Sequence, residues 1–103
     1  MMVMTKILYF ITDMDPTGIR LSLEHKDNEV GICLLQDAVY YGCKGRNRDR
    51  SVTDAIKSGI PVYVNKRDIE LRGLTKLLHE EIKVLDYSEI IDLVLNYERI
   101  VNI

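Results

Sequence analysis

Gly31-Ile32-Cys33-Leu34-Leu35-Gln36-Asp37 is an unbroken apolar run that stops on a polar pair, and Ala38-Val39-Tyr40-Tyr41-Gly42-Cys43 follows it. A strand covered on both faces of a parallel sheet has no solvent face to alternate with, so it reads as a continuous apolar run. The polar pair marks the carboxyl end, where open α/β sheets hold their ligands. The same design recurs at Val62-Tyr63-Val64-Asn65 and at Ile82-Lys83-Val84-Leu85-Asp86-Tyr87. Three strands therefore end in polar residues and lead into helical patterns.

Working outward from that run, residues 4–11 (MTKILYFI) read as the first strand, and Thr12 to Gly18 as a turn or cap. Ile19, Leu21 and Leu23 fall in a short helix reaching Lys26, broken by Asp27-Asn28, before the second strand at residues 30–36. A helix is predicted to begin near Asp37, capped by that carboxylate, and to carry Cys43. The glycine and basic stretch at residues 44–50 interrupts it. It resumes at Ser51-Val52-Thr53-Asp54, which resembles a capping box, and stops at Ser58-Gly59. Pro61 introduces the third strand at residues 62–65, Asp68 to Arg72 form one or two helical turns ended by Gly73, and residues 82–85 make the fourth strand. Ser88 is expected to cap a last amphipathic helix with Ile90, Ile91, Val94 and Leu95 facing inward. The apolar Ile100-Val101-Asn102-Ile103 either adds a fifth strand or lies in a subunit contact.

Strands alternating with helices over short connections imply a three-layer α/β/α domain with a mostly parallel sheet of four to five strands and right-handed crossovers. The 103 residues, 47% of them hydrophobic, fit a single domain spanning 1–103 whose core is adequate but not generous, so an oligomer is expected. Fourteen basic against sixteen acidic residues leave a net charge of −2, which excludes a global electrostatic footprint for nucleic acid or an anionic membrane. Two cysteines ten positions apart make neither a disulfide framework nor a zinc signature, in keeping with a reducing, cytoplasmic compartment. The start of the chain lacks a signal-peptide pattern, and no stretch approaches the ~20 apolar residues of a membrane span.

Candidate chemistry is sparse. Cys43 lies four residues after Val39 and so shares a helical face with an apolar side chain, the position of a packing thiol. It also neighbours Lys44, Arg46 and Arg48, whose charge favours the thiolate that accepts sulfane sulfur, which makes it the persulfide candidate. Cys33, inside the second strand, reads as core. His25 and His79 have no partner at metal spacing, and no cofactor motif is present. Lys44, Arg46, Arg48 and Arg50 form the one concentrated basic patch, either a solvated loop or a contact for an anionic partner. Tyr40 and Tyr41 read as core or interface aromatics.

Leu34-Leu35-Gln36-Asp37-Ala38-Val39-Tyr40 resembles the LLQDGVY signature of the DsrH/TusB proteins, with Ala38 in place of glycine. Val62-Tyr63-Val64 followed by Asp68-Ile69-Glu70-Leu71-Arg72-Gly73-Leu74, and then Val84-Leu85-Asp86-Tyr87-Ser88-Glu89-Ile90-Ile91-Asp92-Leu93, resemble the next two blocks of that family. The shared motif residues are Gln36, Asp37, Asp68, Arg72, Gly73, Asp86 and Tyr87. The resemblance implies a DsrE/DsrF/DsrH-like fold and membership of a sulfur-relay complex serving 2-thiolation of the tRNA wobble uridine or dissimilatory sulfur metabolism. It implies DsrE/TusD-like and DsrF/TusC-like partner subunits, the persulfide cysteine usually lying on the former, and only indirect contact with tRNA. Some members carry a cysteine in the first helix; the counterpart here is around Ser22. The expectation is a non-catalytic accessory subunit, homo-oligomeric when alone, with an independent thiol carrier using Cys43 as the alternative.

Overall fold

The computed structural model describes residues 5–13, 15, 17–24, 29–45 and 50–102. Five strands, β1 (Lys6–Ile11), β2 (Glu29–Leu34), β3 (Val62–Asn65), β4 (Lys83–Leu85) and β5 (Arg99–Asn102), form one sheet in the order β4-β3-β2-β1-β5. Every neighbouring pair is parallel. Helices α1 (Thr17–Glu24), α2 (Ser51–Lys57), α3 (Lys66–Leu71) and α4 (Tyr87–Leu95) alternate with them, giving the α/β/α class expected. The segment at 100–103 is accounted for by β5, which pairs with β1 through Ile7↔Arg99 to Phe10↔Asn102; Ile103 lies outside the described residues.

Alternation along the strands sorts the side chains into two layers. Ile7, Tyr9, Ile11, Val30, Ile32, Leu34, Val62 and Val64 cluster with Ile19 of α1 and with Val52 and Ala55 of α2. A fully buried Leu or Ile contributes about 1.5–3 kcal/mol, so this layer supplies most of the hydrophobic stabilisation. The alternate residues, among them Phe10, Gly31 and Asn65, face α4 and the Tyr97 that follows it. Glycine at position 31 makes that packing possible, because the Tyr97 ring occupies the space a side chain there would need. The Tyr97 and Tyr63 hydroxyls share a hydrogen bond, and burial, followed by the neighbouring Tyr63, pushes the Tyr97 phenol up to about 12.

Two helices end alike. Gly59 (φ +83°) and Gly73 (φ +63°) take the left-handed conformation that L side chains resist. The amide of the residue after each reaches back to the buried turn, Ile60 N–H to the Ala55 carbonyl and Leu74 N–H to that of Ile69, both at 3.0 Å.

Several local expectations differ. The segment after β2 is a 3-10 helix over Gln36–Gly42, not an α-helix. Three residues per turn stack Ala38 on Tyr41 and Val39 on Gly42, and all four are buried. Cys43 therefore lies beyond the helix, in an antiparallel bridge with Leu78. The residue before α2 is Arg50, with no side-chain cap, and Ser51 is a buried first-turn residue rather than half of a capping box.

Ser88 does not cap α4. Asp86 does, accepting the Glu89 N–H at 2.9 Å while the Glu89 carboxylate accepts the Asp86 N–H at 3.1 Å; Ser88 Oγ donates to Asp86 at 3.0 Å. The Glu89 amide and then the Ser88 hydroxyl hold the Asp86 carboxyl below its ordinary value. A depressed native pKa adds stability above the unfolded value of 3.8 and loses it as pH falls through the native one. Asp86→Ala is accordingly expected to lower the melting temperature by a few degrees at pH 7 and by progressively less as the pH falls below 3.8 and the carboxylate is protonated, checked by melting both proteins from pH 7 to pH 2. Equal losses at both pH values would mean the carboxylate is not the capping species.

Candidate functional site

The polar residues closing β2 are drawn together with the end of α3. Gln36 takes φ +53°, a left-handed conformation unusual for glutamine, and its N–H donates to Asp68 Oδ2 at 2.8 Å. The other Asp68 oxygen faces Arg72 Nη1 at 3.4 Å, and the same nitrogen donates to the Asp68 carbonyl at 3.2 Å. Arg72 Nη2 donates to Asp37 Oδ1 at 3.0 Å. Asp37 is thus an ion-pair partner of Arg72 and not the helix cap expected of it. The Asp37 hydrogen bond first, and the charges of Asp37 and Asp68, raise the Arg72 pKa above its ordinary value.

Four motif residues, Gln36, Asp37, Asp68 and Arg72, so form one network across more than thirty positions of chain; α3 carries Asp68, Arg72 caps its carboxyl end and Gly73 supplies the turn that follows. Asp68 is mostly buried whereas Asp37 is mostly exposed, so the network is anchored at Asp68 and open at Asp37. Asn65, absent from the sequence-level candidates, starts α3 by accepting the Arg67 N–H at 3.2 Å and thereby positions Asp68 and Arg72. Its place between a strand and a charged helix is the signal that would have found it.

Neither cysteine faces solvent. Cys33 is fully buried in β2; burial, and then the Asp68 charge, push its thiol up to about 12. Cys43 is 3% exposed; its amide donates to the Tyr40 carbonyl at 3.1 Å, and its Sγ lies 4.0 Å from the Val39 carbonyl. The bonds Lys44 N–H to Leu77 (2.7 Å) and His79 N–H to Gly42 (2.9 Å) clamp the backbone on either side.

Lys44 extends away to an exposed pair with Glu80 at 3.5 Å, and Arg50 is exposed before α2; Arg46, Arg48 and His25 lie outside the described residues. Tyr41 is buried in the main cluster and Tyr40 is half-buried near Arg72. Ser22 in α1 is buried and donates to the Ile19 carbonyl at 2.6 Å. No group of three or more His, Cys, Asp or Glu side chains among the described residues is placed to hold a metal. None of the described helices is long and apolar enough to cross a membrane.

Asp86 and Tyr87 stand apart from the network, at the start of α4. Tyr87 is exposed, as are Ile91 and Leu95 one and two turns on. Of the four α4 side chains expected to face inward, only Ile90 is buried and Val94 partly so. A groove of about 370 Å³ remains between the helix and the sheet, lined by Phe10, Leu35, Asn65, Ile90, Val94 and Leu95 with Tyr87 and Ile91 at its rim.

The architecture is that of small parallel-sheet α/β/α proteins without a resident metal-ligand cluster among the described residues. It resembles the crystal structure of the ychN protein from E. coli, with a TM-score of 0.83 over 98% of this chain and all of that one, at 14% identity. MTH1491 from Methanobacterium thermoautotrophicum, a protein of unknown function, is similar at a TM-score of 0.72, over 96% of this chain and 99% of that one, also at 14% identity. The family follows from sequence: residues 13–100 match the model for DsrH-like proteins, and the chain belongs to the DsrH family. Protein TusB of Photorhabdus laumondii is 29% identical over 68 residues, 66% of this chain and 68% of that protein.

Proposed function

We propose that this protein is an assembly subunit of a sulfur-relay complex, joined to DsrE/TusD-like and DsrF/TusC-like subunits and supporting 2-thiolation of the tRNA wobble uridine. The observation that carries this reading is the DsrH family match over residues 13–100, supported by the likeness to a TusB protein. In a relay step the acceptor thiolate attacks the terminal sulfur of a donor persulfide; a new persulfide forms and the donor leaves as a thiolate. That attack needs a thiol that is both ionised and reachable. The burial of Cys33 and Cys43 supports a role in which the reacting thiol comes from a partner subunit and Cys43 is a packing residue of the main core cluster.

The test is deletion and complementation in the native host, with wobble-uridine 2-thiolation read by mass spectrometry of tRNA and partner association read by co-purification. Loss of 2-thiouridine on deletion and its recovery with Cys43→Ala are the expected results. Unaltered tRNA in the deletion strain, with sulfur oxidation impaired, would assign the complex to dissimilatory metabolism. A direct measurement accompanies it: Cys33 and Cys43 are expected to react with iodoacetamide at pH 7 at least about tenfold more slowly than after denaturation. Rapid labelling of Cys43, with sulfur transfer abolished in Cys43→Ser although the complex still assembles, would make this chain a sulfur carrier.

A further inference from the structure

Asp86 and Tyr87, the motif residues that stand outside the Asp68 network, line a cleft of about 630 Å³ beyond the carboxyl ends of β3 and β4. α3 leaves β3 toward one face of the sheet, where Ile69 joins the main cluster, and α4 leaves β4 toward the other, where Ile90 and Val94 meet Phe10. After β4 the chain also turns back across the sheet to reach β5. Open parallel sheets hold ligands beyond their carboxyl ends where successive connections part in this way. The volume lies within the ~300–1,000 Å³ of small-molecule sites.

The lining divides by chemistry. Tyr87 (76% exposed) and Leu71 (71%) are apolar walls contributed by different helices. An exposed aromatic face stacks on any nucleobase, and an aliphatic side chain covers the other side of the ring. Lys66 and Arg67 stand at the start of α3, and neither forms a salt bridge among the described residues. Of the two carboxylates, Asp86 is engaged by the Glu89 N–H and the Ser88 hydroxyl. Glu70, one turn beyond Lys66 and Arg67 on the same helix, has no such engagement and is an acceptor for an amino group. The four charges sum to zero, so a bare anion gains little here; a ligand must bring an anionic end, a flat ring and an amino donor together. We propose that this cleft binds a nucleotide with an amino-bearing base, the base lying between Tyr87 and Leu71, its phosphate on Lys66 and Arg67, and its exocyclic amine on Glu70. A free mononucleotide and an unpaired residue of an RNA strand offer the same chemistry. The assignment goes beyond the relay reading and does not depend on it.

The test is titration calorimetry of the full chain with AMP, adenosine, inorganic phosphate, IMP and a single-stranded hexaadenylate. AMP is expected to bind at least about tenfold more tightly than adenosine or phosphate, and at least about threefold more tightly than IMP, which lacks the amine. Tyr87→Ala, at an exposed position that leaves the fold intact by circular dichroism, is expected to weaken AMP at least about tenfold, whereas Tyr87→Phe keeps the stacking face and the affinity. Replacing Lys66 and Arg67 together by alanine is expected to reduce AMP to the affinity of adenosine and to leave adenosine unchanged. Glu70→Ala is expected to make AMP and IMP equal. Hexaadenylate that displaces AMP and binds at least about tenfold more tightly identifies an RNA strand as the source, and hexaadenylate no tighter than AMP identifies the free nucleotide. No binding of AMP at about 1 mM, or an AMP affinity unmoved by Tyr87→Ala, would overturn the assignment. Co-purification and tRNA thiolation are read separately, so the proposed function survives if this site alone proves wrong.

Discussion

Replacing Asp68 by alanine is expected to destabilise the domain by about 2–4 kcal/mol, the cost of deleting a largely buried charged acceptor with two partners. One oxygen satisfies the Gln36 N–H and the other faces Arg72, while the Asp37–Arg72 pair left behind is exposed and contributes at most about 1 kcal/mol. The loss has a second part, because the Asp68 bond helps keep Gln36 at φ +53°. Glycine adopts that conformation without a Cβ penalty, so Gln36→Gly is expected to recover about 1 kcal/mol in the Asp68→Ala background. Urea unfolding of the four proteins of this cycle reads both numbers. An Asp68→Ala cost below about 1 kcal/mol would show that the β2 turn is held by other contacts.

Gly31→Ala is expected to cost about 2–4 kcal/mol, more than an alanine in a strand ordinarily would. The added Cβ falls 2.9 Å from Tyr97 Cζ, closer still to the hydroxyl oxygen, and 3.3 Å from Leu8 Cδ1. β2 is paired on both sides, to β1 and β3, so the strand cannot move away. The ring must move instead, giving up the Tyr63 hydrogen bond and uncovering the sheet face. Tyr97→Ala is itself destabilising, but the double variant should be less impaired than the sum of the two. Strict additivity in denaturant unfolding would mean that Tyr97 and position 31 do not meet.

The order of strands and helices was legible in the sequence because each depends on local patterns. The apolar runs at 31–35 and 62–64 gave buried strands, and Gly59 and Gly73 gave helix ends. What escaped was decided by residues distant in the chain. An aspartate after a strand serves equally as a helix cap or an ion-pair partner, and Arg72, 35 positions away, decides for Asp37. Nothing local marks Gln36 for a left-handed turn, since its partner is Asp68. Periodicity marks Ile90, Ile91, Val94 and Leu95 alike as apolar and does not report that only Ile90 is buried and Val94 partly so, with Ile91 and Leu95 left exposed. Right-handed crossovers likewise leave open on which side of β1 the fifth strand pairs.

That last pairing has a consequence for synthesis on the ribosome. β1 is the first strand to emerge and gains β2 early, yet its other edge, from Ile7 to Phe10, is reserved for Arg99–Asn102. Until those residues leave the exit tunnel, the nascent chain holds an apolar strand with one row of backbone groups unpaired. Such an edge is a template for mispairing with a neighbouring polypeptide. The domain is therefore most vulnerable to aggregation when nearly complete, and trigger-type chaperones that shield nascent strands are expected to raise its yield more than a general slowing of translation.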